Sequence, residues 1–175
     1  HQVSVGRESF KLPPLFLVMA TQNPIEQEGT YPLPEAQLDR FLMHVSITYP
    51  TADAERSILQ LVRDEAKNIA PTVPAVVSQT DLFAARQEIL AMHMAPAVEE
   101  YIIQLIMATR NPDVYGADLA GWIDFGASPR GTIALDRCSR AHAWIKGKDF
   151  VSPDDVQAVM FDVLRHRVLL SFEAE

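Results

Sequence analysis

The run Phe16-Leu17-Val18-Met19-Ala20-Thr21-Gln22-Asn23-Pro24 decides how the chain is read, because an apolar stretch gives way at once to polar residues and then to proline. A continuous apolar run of this length, bounded by Pro13-Pro14 and Asn23-Pro24, predicts a strand buried on both faces, as in a parallel α/β sheet. Such sheets carry their chemistry at the carboxyl ends of their strands, which places Thr21, Gln22 and Asn23 where a ligand would sit. Asn-Pro is also an ordinary turn signal, so the residues downstream decide between the two readings.

Downstream, Leu38-Asp39-Arg40-Phe41 leads into an alternating, strand-like stretch from Leu42 to Ile47. Together with Ala20-Thr21-Gln22-Asn23-Pro24 at this separation, it closely resembles the MoxR family of AAA+ ATPases. In that resemblance Asn23 takes the sensor-1 position and Arg40 that of the arginine finger. The likeness extends more loosely to Gly126-Ala127-Ser128-Pro129-Arg130, similar to the family's sensor-2 motif, which makes Arg130 a candidate nucleotide contact. The implied fold is an α/β fragment of an AAA+ core followed by an all-α helical lid domain, mainly helical overall. The pattern changes from strand to helix after Tyr49-Pro50, so residues 1–49 read as the C-terminal part of the core and residues 50–175 as the lid. At the N-terminus, Gln2 to Val5 and Glu8 to Leu12 read as a hairpin around Gly6-Arg7, which the resemblance places before sensor 1.

Composition bounds these readings. A chain of 175 residues, 48% hydrophobic and 22% charged, can bury one ordinary core or two small ones and is not of disordered type. Its net charge of -8 argues against a nucleic-acid surface, which needs clustered Lys and Arg. The single cysteine, Cys138, excludes an internal disulfide and fits a reducing compartment. No apolar run approaches the ~20 residues of a membrane span, and no signal-peptide pattern opens the chain. The sequence therefore reads as cytoplasmic.

A phosphate-cradling loop needs Gly-x-x-x-x-Gly-Lys-Ser/Thr, because glycine backbone must approach the phosphates and lysine must reach them. The only Gly-Lys pair is Gly147-Lys148, followed by Asp149, and no apolar strand ends in Asp-Glu to hold magnesium. The resemblance then implies that the nucleotide loop and metal-binding strand lie upstream of His1. ATP and Mg2+ belong to the intact protein, and this piece alone is expected neither to bind them tightly nor to hydrolyse ATP.

Helices dominate the remainder. Thr51 can cap a helix with Asp53 and Glu55 in its first turn and Ala54, Ile58, Leu61 and Val62 as its buried stripe. Ile69 to Val77, with Pro71 and Pro74, reads as a linker, and Ser78 or Thr80 opens a further helix to about Leu90. Pro96 starts a helix with a wide apolar face through Val98, Tyr101, Ile102, Leu105, Ile106 and Thr109, central to a small bundle. Asn111 to Gly126 reads as a long connection. Ser128-Pro129 is a strong helix start whose core face runs through Ala134, Leu135, Cys138, Ala141, His142 and Ile145. Ser152-Pro153-Asp154-Asp155 opens the last helix, with Val156, Val159, Met160 and Val163 inward. The six methionines and Trp144 read as core filling, His142 as a core histidine, and Arg165-His166-Arg167 as a solvated helix terminus.

Arg130 differs in kind. A cation in the first turn of a helix meets the positive end of its dipole, which costs about 0.3–1 kcal/mol when exposed. An anion there would be favoured by the free backbone N–H groups and by the guanidinium. Position alone makes Arg130 an ordinary surface arginine, and the resemblance turns it into a phosphate contact, to its own subunit's nucleotide or a neighbour's.

The chemistry implied is phosphoryl transfer from ATP to water, with the protein supplying position and charge. Asn23, a neutral donor and acceptor, suits the orientation of the attacking water. Arg40 would act in trans on a neighbour's γ-phosphate, which implies a ring, of six subunits by resemblance. The competing reading of Arg40 is a surface pair with Asp39 or Glu35, worth under about 1 kcal/mol. The resemblance also implies chaperone-like remodelling, with a von Willebrand factor A domain protein as a partner. The alternative function is a non-catalytic helical interaction or regulatory domain, in which Asn23, Arg40 and Arg130 are unconnected. A DNA-binding helix-turn-helix within the lid is disfavoured by charge.

Overall fold

A computed structural model describes residues 2–22, 33–67, 69 and 76–174. Compact packing divides the chain between Leu33 and Pro34 into two units.

In the first unit β1 (Gln2–Val5) and β2 (Glu8–Lys11) pair antiparallel, with Gln2 opposite Lys11 and Val5 opposite Glu8. The two-residue turn is Gly6-Arg7, and Gly6 takes a φ of 63°, a left-handed conformation that glycine reaches without a Cβ penalty. The parallel-sheet strand expected from Phe16 does not form. Residues 16–22 make no ladder, and Leu17 and Met19 are 84% and 82% exposed. A strand buried on both faces exists only with neighbours on both sides, and the described residues supply none.

The second unit is mainly helical: α1 (Glu35–Leu38), α2 (Ala52–Ala66), α3 (Gln79–Ala91), α4 (Pro96–Arg110), α5 (Ala117–Trp122), α6 (Pro129–Ile145) and α7 (Pro153–Leu164). Two short ladders tie them together. β3 (His93–Met94) runs parallel to β5 (Phe150–Val151), and β4 (Ile123–Phe125) antiparallel to β6 (Leu169–Leu170). The expected connection from Asn111 to Gly126 is therefore structured, holding a 3₁₀ turn (Pro112–Val114), α5 and β4.

The core is where helical spacing predicts it. Val98, Ile102 and Ile106 of α4 pack with Ala134, Leu135 and Cys138 of α6 and with Val156, Val159 and Val163 of α7. Burial pushes the Cys138 thiol up to about 11, so it behaves as a small apolar residue. Ile145, expected inside, is exposed. The stripe of α2 is also unburied, with Ile58, Leu61 and Val62 exposed, because no other described element covers it.

The segment from Asp39 to His44 contacts the helices, and the compaction boundary, between Leu33 and Pro34, precedes Tyr49-Pro50. The expected strand Leu42–Ile47 is absent. Instead the His44 N–H donates to the Asp162 carbonyl at 2.7 Å, and Met43 lies against the helical core. These contacts replace the sheet neighbours an alternating strand requires.

Ser128 caps α6, its Oγ accepting from the Arg130 N–H at 3.1 Å. Ser152 and Asp155 form a capping box on α7, and Asp155 is wholly buried. Its carboxylate accepts from Lys148 Nζ at 2.9 Å, from the Ser152 N–H at 2.9 Å and from Ser152 Oγ at 2.7 Å, and His142 Nδ1 lies 2.9 Å away. His142, read as a core histidine, is hydrogen-bonded but partly exposed.

Burial acts to raise the Asp155 pKa, but Lys148, Ser152 and His142 outweigh it and hold the carboxyl well below its usual range. A depressed carboxylate pKa stabilises the fold above the unfolded value of about 4 and loses that contribution as pH falls below it. Asp155→Ala should lower the unfolding free energy by about 2–4 kcal/mol. Asp155→Asn should flatten the loss of stability below about pH 4, read by denaturant unfolding at stepped pH.

Candidate functional site

The turn after α1 brings the two described motifs together. Arg40 N–H donates to the Gln37 carbonyl at 3.2 Å and Phe41 N–H to that of Leu38 at 2.9 Å, so Asp39 and Arg40 continue the helix as a tight turn. Asp39 points inward: its carboxylate accepts from Ser128 Oγ at 2.9 Å, from Arg130 Nη1 at 2.9 Å and from Arg167 Nε at 3.2 Å. Arg40 itself is exposed.

The anion favoured at the N-terminus of α6 is therefore present, and it is the chain's own Asp39. Burial tends to raise the Asp39 pKa, while bonds from Arg130 and Ser128 and the charge of Arg167 lower it, with a net lowering. Arg130 remains 55% exposed, so its pair with Asp39 is partly screened and its other donors face solvent.

The motif carrying Ser128 and Arg130 is anchored from α4. Thr109 Oγ1 accepts from the Ala127 N–H at 3.0 Å, and Arg110 Nε donates to the Ala127 carbonyl at 2.7 Å. Gly126 lies so close to α4 that a Cβ on it would meet the Thr109 carbonyl and come within 2.8 Å of Arg110 Cα. This close approach accounts for glycine at the head of the motif.

Arg167, expected in a solvated helix end, is buried instead, its side chain 2% exposed. Besides Asp39 Oδ1 it donates to the carbonyls of Asp39 at 3.2 Å, Leu42 at 3.3 Å, Phe41 and Val163. Neighbouring His166 is half-buried, its Nε2 donating to the Phe41 carbonyl at 3.2 Å and its buried Nδ1 unpartnered among the described residues. Burial first, then the charges of Arg167 and His44, lower its pKa, against the Phe41 bond. A cleft of about 190 Å³ opens here, lined in part by Glu35, Asp39, Ser128, His166 and Arg167.

Of the expected site residues, Asn23 lies outside the described residues. Arg130 and the turn bearing Arg40 are joined through Asp39. The sequence marks Asp39 only as a possible surface partner of Arg40, and Arg167 and His166 only as a solvated helix end, because the signal is weak: an Arg-His-Arg triplet following an apolar helix. Among the described residues no group of three or more His, Cys, Asp or Glu could hold a metal ion, and no helix is long and apolar enough to cross a membrane.

Two family profiles match the chain: the ATPase family associated with various cellular activities (AAA) over residues 1–43, and the AAA lid domain over residues 120–175. Chaperone MoxR1 of Mycobacterium tuberculosis is 41% identical over 99% of the chain and 45% of its own length. Protein MoxR of Paracoccus denitrificans is 35% identical over 98% of the chain and 53% of its own length. The crystal structure of a protein assigned as an ATPase from Cytophaga hutchinsonii superposes with a TM-score of 0.90 at 42% identity, over 99% of the chain and 52% of that structure. The chain spans about half the length of the curated relatives it matches.

Proposed function

With the chain a member of the MoxR family of AAA+ ATPases, we propose that in the intact protein it forms the sensor, finger and lid portion of an ATP-driven remodeller of partner proteins. Residues 1–49 belong functionally to the ATPase core and residues 50–175 to the lid. The observation that carries this reading is the Asp39 carboxylate, which joins the turn bearing Arg40 to the helix start bearing Arg130. Arg130 is bonded to the residue next to Arg40, so the two motifs meet in one place, which supports the catalytic reading over the non-catalytic alternative.

ATP hydrolysis requires water to attack the γ-phosphorus while the bond to the β–γ bridging oxygen breaks and charge develops on the phosphoryl oxygens. Asn23 orients the water, Arg40 meets the developing charge on a neighbouring subunit's nucleotide, and Arg130 senses nucleotide at the lid. The donor set at the N-terminus of α6 fits an anion, since the Ser128 hydroxyl and the Arg130 guanidinium already hold a carboxylate there. The described residues offer no corresponding cluster for Mg2+, which the upstream core would hold. A finger acting in trans needs a closed ring, and six subunits in the cytoplasm, with a von Willebrand factor A domain protein as partner, complete the proposal. This piece by itself hydrolyses no ATP.

In the intact protein, Asn23→Ala should lower ATP turnover much more than ATP binding, measured by steady-state kinetics beside equilibrium titration; equal losses in both would remove the water-orienting role. An arginine supplied in trans can be worth ~10³–10⁵ in rate. Arg40→Ala subunits mixed with subunits lacking the phosphate-loop lysine should therefore partly recover ATPase activity. Wild-type turnover in Arg40→Ala alone would remove the finger assignment.

A further inference from the structure

Arg40 stands in a turn whose backbone is held on both sides by one buried guanidinium. Arg167 has five N–H donors, and each has an acceptor: Nε on Asp39 Oδ1, Nη2 on the carbonyls of Asp39 and Phe41, and Nη1 on those of Leu42 and Val163. Four of these acceptors belong to residues 39–42 and the fifth to α7. The Arg40 carbonyl is not among them, so Arg40 is bracketed by held residues while its side chain leaves the surface.

Neutralising Asp39 does not require this arrangement, since Arg130 also pairs with it. A lysine at 167 could supply the same charge, but from a single point and with three donors rather than a planar fork of five. The use of the fork on the carbonyls of Asp39, Phe41 and Leu42, on both sides of Arg40, fixes a backbone direction as well as a charge balance. A group that must meet charge developing in a transition state depends on such direction, and a misplacement of about 1 Å can cost on the order of 100-fold in rate.

We propose that Arg167 is a positioning residue for Arg40. Through the carbonyls of Asp39, Phe41 and Leu42 it sets the direction in which Arg40 projects, and through the Asp39 carboxylate it ties that direction to the Ser128–Arg130 start of α6. The inference rests on the reading of Arg40 as a group acting on a neighbouring subunit's nucleotide.

The test uses the full-length assembled protein. Arg167→Lys and Arg167→Ala subunits are each mixed with subunits lacking the phosphate-loop lysine and, separately, with Arg40→Ala subunits, and ATP turnover is followed against ATP concentration. Arg167→Lys alone should lower kcat by about 10- to 100-fold with KM for ATP little changed. Mixing with the loop variant should restore activity, and mixing with Arg40→Ala should not, because both then carry the defect on the same side of the interface. The reverse pattern would locate the defect at the subunit's own nucleotide and overturn the proposal. Unchanged turnover in Arg167→Lys, or recovery with neither partner, would overturn it as well. Failure of Arg40→Ala to recover with the loop variant would remove the trans reading of Arg40 itself, and the proposal with it. If Arg167→Ala does not fold, Arg167→Lys, which keeps the charge and loses the fork, carries the same comparison.

Discussion

A buried guanidinium is tolerated only when every donor is used and its charge is opposed, because an unpaired ion in the interior costs several kcal/mol. Arg167 meets both conditions, and it does so with groups that nothing else in the local sequence would bring together. Four of its acceptors lie in the turn after α1, over a hundred residues away, and one lies in α7. The segment 34–49 is attached to the helical unit through this clasp and through the His44–Asp162 bond, rather than through a sheet. Burial works to lower the Arg167 pKa and the Asp39 charge works to raise it, so the pair is mutually dependent.

The same carboxylate serves the start of α6. Asp39 supplies the anion that the Ser128 hydroxyl, the Arg130 guanidinium and the positive end of the helix all favour. A phosphate oxygen brought to Arg130 would meet a guanidinium already engaged on one side and exposed on the other. The turn bearing Arg40 and the lid helix bearing Arg130 therefore share one charge, and a change in the partners of either reaches the other through Asp39.

Much of the helical unit was legible in the sequence because its signals are local. Ser128-Pro129 and Ser152-Pro153-Asp154-Asp155 start helices where capping chemistry predicts, and the α4 spacing Val98, Ile102, Ile106 gives the core face directly. The failures share a different cause. Phe16 to Ala20, Leu42 to Ile47 and the α2 stripe carry apolar patterns that only partner elements could bury, and among the described residues those partners are absent. Arg167 was misread because a terminal arginine and a five-acceptor buried one look the same in sequence. Only the distant turn distinguishes them. Of the motif residues, Arg40 and Arg130 could be placed, whereas Asn23 lies outside the described residues.

The clasp depends on the energetic linkage between Asp39 and Arg167, and a double-mutant cycle measures it most directly. Asp39→Asn, Arg167→Lys and the double variant of the intact protein are compared with wild type by denaturant unfolding of the helical unit. The two single losses should exceed additivity with a coupling of about 1.5–3 kcal/mol, as expected of residues in one buried network. Losses that add within about 0.5 kcal/mol would show two independent side chains and contradict the clasp on which the arrangement depends.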